Sequence, residues 1–377
     1  MSIPILTSSA EIAAFAERLA QEPVIAVDLE ADSMHNYQEK VCLLQFTTPQ
    51  TTLLIDPLAG GDLSPLWPIF ANPAIRKIFH AADYDTRCLA RDFGFEIRGL
   101  FDTMIASQFL GEEKVGLADV LGKYFGVVLD KQFQRADWSI RPLPQGMIVY
   151  AAEDTRHLHG LCHLLEGKLI EKGRLEWVAE EFTLLEQGRF REQEGPLWMR
   201  FKGANQLDRR QIATLDQLLV WRDAEARRKD RPPFKVIGND ILLALAKHMP
   251  LTGEAIKAIE GIPGWVNERF GRQVLPLIAA AQAIPAEQLP AFPRGERRER
   301  DPEAEKRVLK LKAWRTQAAT ELAVDPGILI NNALLEELAR VVPRNIDELA
   351  TVAGLKRWQR QVFGAGLVAA LKGGKPA

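Results

Sequence analysis

Three short stretches of this 377-residue chain carry acids whose spacing can do chemistry. Asp28 and Glu30 stand two apart where a β-rich run, Val24 to Val27, ends. In an extended chain, residues two apart point to the same side, so both carboxylates address one site. Asp85 closes His80-Ala-Ala-Asp-Tyr-Asp85, and Asp154 closes Tyr150-Ala-Ala-Glu-Asp154. Tyr150 and Asp154, four apart on an expected helix, share one face a turn from each other. Four carboxylates brought together repel, and the cluster is tolerable only with cations among its members. Hard oxygen donors favour Mg²⁺ or Mn²⁺.

The elements that must position these acids alternate in type. Ser8 to Glu11 has capping-box spacing, and Ile12, Phe15, Ala16 and Leu19 follow on one helical face. The runs Val24–Val27, Val41–Phe46, Leu53–Ile55 and Ile75–His80 are short and β-rich, which predicts four strands. Apolar periodicity predicts helices near 84–92, 103–110, 117–125 and 144–167. Strands interleaved with helices make an α/β sheet covered on both sides.

Beyond about residue 205 the strand signals stop and a repeat takes over. A shift of 93 residues carries Trp221-Arg222 onto Trp314-Arg315, Pro233 onto Pro326, Ile237 onto Ile330 and Asn239 onto Asn332. The same shift carries Pro250 onto Pro343, Gly261 onto Gly354, Trp265 onto Trp358 and Phe270-Gly271 onto Phe363-Gly364, without a gap. Apolar spacing of three and four, with Pro and Gly at the boundaries, describes two small helical bundles. Between them, Pro285 to Pro302 is rich in proline and charge and reads as a linker.

Composition bounds the remaining possibilities. The chain is 47% hydrophobic and 26% charged, as soluble globular chains are. It has no apolar run long enough for a membrane helix and opens without the blocks of a signal peptide, which points to the cytoplasm. Cys42, Cys88 and Cys162 are too widely spaced for a Cys-x-x-Cys zinc site and read as buried free thiols. His159, Cys162 and His163 have helical spacing, but a fourth zinc ligand is lacking and a partly buried helix face accounts for them. The net charge of −2 conceals an asymmetry: residues 1–200 hold 19 Lys and Arg against 29 Asp and Glu, residues 201–377 hold 29 against 21. An acidic half suits cations, and a basic half is drawn to a polyanion.

Taken together, Val27-Asp-Leu-Glu-Ala-Asp-Ser33, Tyr84-Asp85, the segment Lys131 to Leu143 and Tyr150-Ala-Ala-Glu-Asp154 resemble the DEDD exonucleases, in the tyrosine subgroup typified by the ribonuclease D family. Both repeats resemble the helicase-and-RNase-D C-terminal (HRDC) domain. The resemblance implies a ribonuclease H-like exonuclease domain with a mixed sheet over residues 1–200. Two all-α HRDC bundles follow at 208–284 and 303–377, joined by a linker at 285–302. It implies a metal-dependent 3′-to-5′ exoribonuclease that trims structured RNA such as tRNA precursors and releases nucleoside monophosphates. Asp28, Glu30, Asp85 and Asp154 would hold two Mg²⁺ or Mn²⁺ ions, and Tyr150 would orient the attacking water. A phenol with an ordinary pKa near 10 is protonated at neutral pH, so positioning suits it better than base catalysis. A 3′–5′ DNA exonuclease shares these acids and is the alternative. An inactive nucleic-acid-binding module is disfavoured because all four acids and the tyrosine are present.

Substrate contacts are expected at Met34 and His35, just after the first motif, at His80, and at Lys131 and Arg141 before the third. Asp83 lacks the preceding aromatic residue of the motif, and Asp32 has a solvated or capping role. In the first repeat Arg227, Arg228 and Lys229, with Arg222, Arg231 and Lys235, form a basic cluster suited to tethering phosphates. The corresponding stretch of the second repeat, around Ala319, Thr320 and Glu321, lacks that charge. The paired tryptophans read as core rather than as stacking platforms.

Overall fold

The computed structural model describes residues 3–188, 194–293 and 301–372. They form two compact units that do not follow chain order. Met1–Ala31, Val41–Phe190 and Glu299–Ala377 make one, and Asp32–Lys40 with Arg191–Arg298 make the other.

The first unit is built on a six-stranded mixed sheet. In chain order the strands are β1 (Ile5–Leu6), β2 (Val24–Ala31), β3 (Val41–Thr47), β4 (Thr52–Ile55), β5 (Arg76–Phe79) and β6 (Leu100–Asp102). In space they run β1-β4-β3-β2-β5-β6, with β2 antiparallel to β3 and parallel to β5. The helices are α1 (Ser9–Leu19), α2 (Trp67–Ala71), α3 (Asp83–Phe93), α4 (Thr103–Leu110), α5 (Leu117–Phe125), α6 (Gln145–Arg156), α7 (Leu158–Glu171) and α8 (Leu175–Glu186). The capping box at the start of α1 is present, with Ser8 Oγ accepting from Glu11 N–H and the Glu11 carboxylate accepting from Ser8 N–H.

Three features differ from the sequence expectation. The strand holding Asp28 and Glu30 runs on to Ala31, with its register to β3 shifting only after Glu30. Two very short strands, β1 and β6, add edges that two or three residues cannot announce by alternation. The helix expected over 144–167 is interrupted at His157. Met147, Ala151, Thr155, Leu158, Cys162 and Leu165 are buried across that interruption, and their unbroken spacing of three and four conceals it. Part of the expected linker, 294–300, lies outside the described residues, while Phe292 before it packs edge-on against Trp198 with centroids 4.8 Å apart.

The second repeat, α14 (Pro302–Leu322), α15 (Pro326–Leu329), α16 (Asn332–Val341) and α17 (Arg357–Lys372), shares a core with the sheet. At its centre Trp358 is 2% exposed, stacked on Trp177 of α8 with centroids 5.3 Å apart and edge-on to Phe109 of α4 at 5.4 Å. Glu180 accepts from the N–H groups of Arg357 and Trp358 at 2.8 Å each, which satisfies the orphan donors at the start of α17. Glu181 accepts from Trp358 Nε1 at 2.8 Å and from Lys356 Nζ at 2.6 Å. Arg174 donates to Phe109 O and Leu322 O, each at 2.6 Å.

The other unit holds the first repeat, α9 (Arg209–Arg228), α10 (Pro233–Val236), α11 (Asn239–His248), α12 (Gly253–Lys257) and α13 (Trp265–Ala283), around its own core. Its backbone repeats that of the second copy in detail. Asp230 and Ala323, Met249 and Val342, and Gly261 and Gly354 all have positive φ, and each pair is related by the 93-residue shift. Arg222 donates to Ile237 O and Asn239 Oδ1, as Arg315 does to Ile330 O and Asn332 Oδ1. Arg222 therefore holds the bundle together and leaves the expected phosphate-binding cluster.

Candidate active site

A cleft of about 380 Å³ in the first unit is lined by Asp28, Glu30, His80, Tyr150 and Asp154, with Met104, Leu117, Leu129 and Lys131 around them. Asp28 and Glu30 project from β2, cross-strand from Gln45 and Leu43 of β3. Tyr150 and Asp154 come from α6. That helix buries Met147, Ala151 and Thr155, and Thr155 Oγ1 bonds Thr47 Oγ1 of β3 at 2.7 Å. Asp85 lies in the first turn of α3 and is almost wholly buried.

The launch of α3 is held from another strand end. Asp102 accepts from Ala81 N–H at 3.1 Å and Ala82 N–H at 2.7 Å, and it also caps α4 through Met104 N–H at 2.7 Å. Ala81 has φ of 67°, a left-handed conformation that a residue with a Cβ adopts at a cost. Asp102 over-determines that turn, and so fixes where Asp85 stands. Sequence reasoning passed over Asp102, although an Asp immediately before an apolar helical run is an N-cap signal.

The electrostatics join the four acids. Burial raises the pKa of Glu30 well above the usual carboxylate range, and the charges of Asp28, Asp154 and Asp85 raise it further. Burial and then Asp28 do the same to Asp85. Asp28 is pushed up to about 7 by burial, and Asp154 to about 8 by burial and then by Asp28. Each of Asp28, Glu30 and Asp154 keeps an edge open to the cleft while protein crowds its other sides. Burial, then Asp154, Glu30 and Asp28, hold the Tyr150 phenol above its ordinary pKa, so it is a proton donor at neutral pH. Among the described residues no three His, Cys, Asp or Glu side chains already stand close enough to grip an ion. The donor set nonetheless fits hard divalent cations, being all oxygen and destabilised by its own charge.

The remaining expected contacts divide. His80 lines the cleft with Nδ1 at 2.9 Å from Thr103 Oγ1, and its buried Nε2 meets no hydrogen-bond partner. Burial lowers its pKa, which favours the neutral ring. Lys131 is exposed on the cleft wall. Arg141, expected to hold phosphate, is spent on the protein. Its guanidinium bonds both Asp56 oxygens at 2.6 and 2.7 Å and the carbonyls of Trp138, Ile140 and Cys42. Asp83 pairs with Arg87 on the surface. Asp32 is fully buried, the reverse of a solvated role, and closes a loop. Met34 and His35 lie on that loop, in the other unit. There Arg227 donates to Tyr37 Oη at 3.2 Å, while Arg228 and Lys229 pair with Glu225 at 2.9 and 2.8 Å, so the expected tethering trio is already engaged. His159 bonds Thr47 O, His163 is exposed, and the three cysteines are buried and not joined to one another by disulfides.

One buried polar residue escaped the sequence reading. Gln45, directly cross-strand from Asp28, is 0% exposed, and neither its amide oxygen nor its nitrogen has a partner. A polar residue inside the apolar run Val41–Phe46 was the available signal. A second hollow, of about 510 Å³ beside Pro23, Arg76 and Phe182, lies away from the acids, and Glu166 neutralises its Arg76.

Comparison with known proteins decides the family. A 3′–5′ exonuclease domain matches residues 3–170, and an HRDC domain matches 211–278 and again 304–371. The chain is 33% identical to the ribonuclease D of Acidiphilium cryptum, over 99% of this chain and 94% of that protein. The chain belongs to the ribonuclease D family. It is also 31% identical to the ribonuclease D of Gluconacetobacter diazotrophicus, over 96% and 90% of the two chains. The crystal structure of Escherichia coli RNase D, described as an exoribonuclease involved in structured RNA processing, superposes with a TM-score of 0.73 at 26% identity over 99% of each chain. Membership in the ribonuclease D family makes this chain a 3′-to-5′ exoribonuclease that acts on RNA. Members of this exonuclease class depend on divalent metal. No helix among the described residues is long and apolar enough to cross a membrane.

Proposed function

We propose that the exonuclease domain, residues 1–200, works through Asp28, Glu30, Asp85 and Asp154 as the holders of two divalent cations, Mg²⁺ or Mn²⁺. The observation that carries this reading is that Asp28, Glu30 and Asp154 open on one cleft from a strand and a helix, with Asp85 of α3 buried close enough for its charge to act on Glu30. When bound, such ions supply counter-charge and Lewis acidity for phosphodiester hydrolysis. Tyr150, protonated and held between Phe133 and Trp138 at centroid distances of 6.0 Å, donates its hydroxyl hydrogen to orient the attacking water. Lys131 offers a cation to the terminal phosphates, the unpartnered His80 Nε2 offers a polar contact, and Met34 and His35 meet the terminal nucleotide.

The substrates are tRNA precursors or other structured RNA with a 3′ extension, trimmed to nucleoside monophosphates by a cytoplasmic enzyme whose three cysteines form no disulfide with one another. The modules at 208–284 and 303–377 serve this domain. Digestion of matched 3′- and 5′-labelled RNA and DNA, with and without Mg²⁺ or Mn²⁺, tests the reading, with a tRNA precursor set against an unstructured RNA of equal length. Metal-dependent release of monophosphates from the 3′ end of RNA is expected, and equal rates on DNA would overturn the RNA preference. Tyr150→Phe keeps the ring, so its loss should fall on kcat and spare substrate binding. Weakened binding at unchanged kcat would make Tyr150 a binding residue instead.

A further inference from the structure

The loop Asp32–Lys40 begins one residue after β2 ends and yet belongs to the compact unit of the first repeat. Its base is tied by Asp32, which donates its N–H to Lys40 O at 3.3 Å, accepts from Lys40 N–H at 2.8 Å and accepts from Asn36 Nδ2 at 2.6 Å. Its tip is Tyr37, packed against the core of the first repeat. The Tyr37 hydroxyl donates to Asp223, whose oxygens lie 2.9 and 3.0 Å away, and accepts from Arg227 at 3.2 Å. The Arg227 guanidinium lies over the ring, 5.4 Å from its centroid. The Tyr37 N–H donates to Asp230 Oδ1 at 3.1 Å, and Asp230 is held at a φ of 44°.

Asp223 and Arg227 are four apart on α9 and share one face, while Asp230 stands in the turn two residues past the end of the helix, and all three meet Tyr37. The second repeat has Thr316, Thr320 and Ala323 at these places, with neither acid nor guanidinium. Its matching corner is fitted elsewhere in its own unit. Leu322 O takes Arg174, and a Cβ added to Gly111 would come within 1.9 Å of Ala323 O. The same corner of the bundle is thus fitted to a different segment in each copy.

We propose that Tyr37 is a positioning residue, held by Asp223, Arg227 and Asp230 so that the first repeat fixes the loop that carries Met34 and His35. The inference rests on the reading that this loop meets the terminal nucleotide. A nine-residue loop ordered before binding spares the substrate the entropy of ordering it, which lowers KM more than it raises kcat. It also gives Arg227 a function other than phosphate tethering.

The test uses the full chain and a trinucleotide of RNA. Tyr37→Phe removes the hydroxyl and keeps the ring, and Asp223→Ala removes its acceptor. Each should raise KM by roughly three- to tenfold with kcat within about twofold, which is the net contribution of one ordinary hydrogen bond. The double variant should be no worse than either single one, because both remove one interaction. Amide hydrogen exchange in residues 33–40 should quicken alike in both, while Thr316→Ala, the equivalent change in the second repeat, leaves exchange and kinetics as they were. Additive effects, or effects confined to long RNA, would make Arg227 and Asp223 part of an RNA contact and overturn the proposal. Faster exchange with unchanged trinucleotide KM would overturn the positioning role. Met34→Ala and His35→Ala test the underlying reading separately: if neither alters KM, the loop does not meet the nucleotide, whatever the exchange shows.

Discussion

Trp265 and Trp358 occupy the same place in two copies of one bundle, yet the first is 42% exposed and the second 2%. The residues the copies share, such as Arg222 and Arg315 with their carbonyl and asparagine partners, set the fold of the bundle. The residues they do not share set what each bundle is attached to. In the second, Lys356, Arg357 and Trp358 meet two glutamates and a tryptophan of α8. In the first, Asp223, Arg227 and Asp230 meet one tyrosine. A duplicated domain has become part of the catalytic body in one copy and the holder of a loop in the other.

That division places the chemistry with the second repeat and outside the first, and removing a carboxylate is the largest way to test it. Asp28→Asn, Glu30→Gln, Asp85→Asn and Asp154→Asn should each lower kcat by on the order of a thousandfold or more, as losing a charge-stabilising group does. Thermal unfolding should not be lowered, because each change relieves repulsion among groups that burial already disfavours. Near-normal turnover at saturating metal would remove that residue from the site, and a melted second repeat would break the division itself.

The next largest effect separates the tryptophans. Trp358→Ala opens a cavity against Trp177 and Phe109 and should cost about 3–5 kcal/mol. Trp265→Ala, losing mainly an edge-on contact with Phe270, should cost about 1 kcal/mol or less. Thermal inactivation of the nuclease should shift to lower temperature in Trp358→Ala and not in Trp265→Ala. Equal losses would mean that the copies are attached in equivalent ways.

Much of this was legible in the sequence because the signals were local or periodic. The capping box at Ser8, the α/β alternation and the 93-residue repeat depend on spacing alone. Asp28, Glu30, Tyr150 and Asp154 line one cleft because period-two and period-four spacing already put each pair on one face. Tertiary commitments were not legible. Nothing local says that Arg141 closes on Asp56, 85 residues earlier, or that Arg227 meets Tyr37, 190 residues earlier. Both look like surface cations until their partners are known. Both tryptophan pairs read as core, and Trp265 departs from that because burial at this position depends on what packs against the bundle. Gln45 and Asp102 were passed over because their importance lies in which strand end or carboxylate they face.

A smaller effect tests the seam beside Trp358. Glu181→Gln keeps the shape but leaves Lys356 without its charge partner, and should cost about 1–3 kcal/mol. Adding Lys356→Met should recover part of the loss, so a thermodynamic cycle should return a coupling of about 1 kcal/mol or more. Simple additivity would mean that the Glu181–Lys356 pair does not help to hold the seam, which would then rest on the aromatic stack and on Glu180 and Arg174. The first repeat has Pro263 in place of Lys356, and with it no ammonium for such a carboxylate.

The smallest effect lies where the first repeat has Glu225 and the second has Ala318. Hydrogen bonds from Arg228, then from Lys229, hold Glu225 down at about 2, below its ordinary 4.5. A carboxylate whose pKa is lower in the folded state stabilises the fold fully above its unfolded pKa and loses that contribution as pH falls through the folded one. The window therefore runs from about 4.5 down to about 2, and it concerns the first repeat alone. Arg228 is largely exposed, so solvent screening keeps the effect modest. Glu225→Gln should lower the unfolding midpoint of the first repeat by roughly 2–4 °C at pH 6, and the gap from the unmodified protein should narrow as pH drops below about 4.5. The midpoint of the catalytic body, where alanine stands at the equivalent position, should not respond to the substitution at any pH. A gap that stays constant down to pH 3 would show that Glu225 acts through packing, and the charge difference between the two copies at this position would then have no part in the stability of the first.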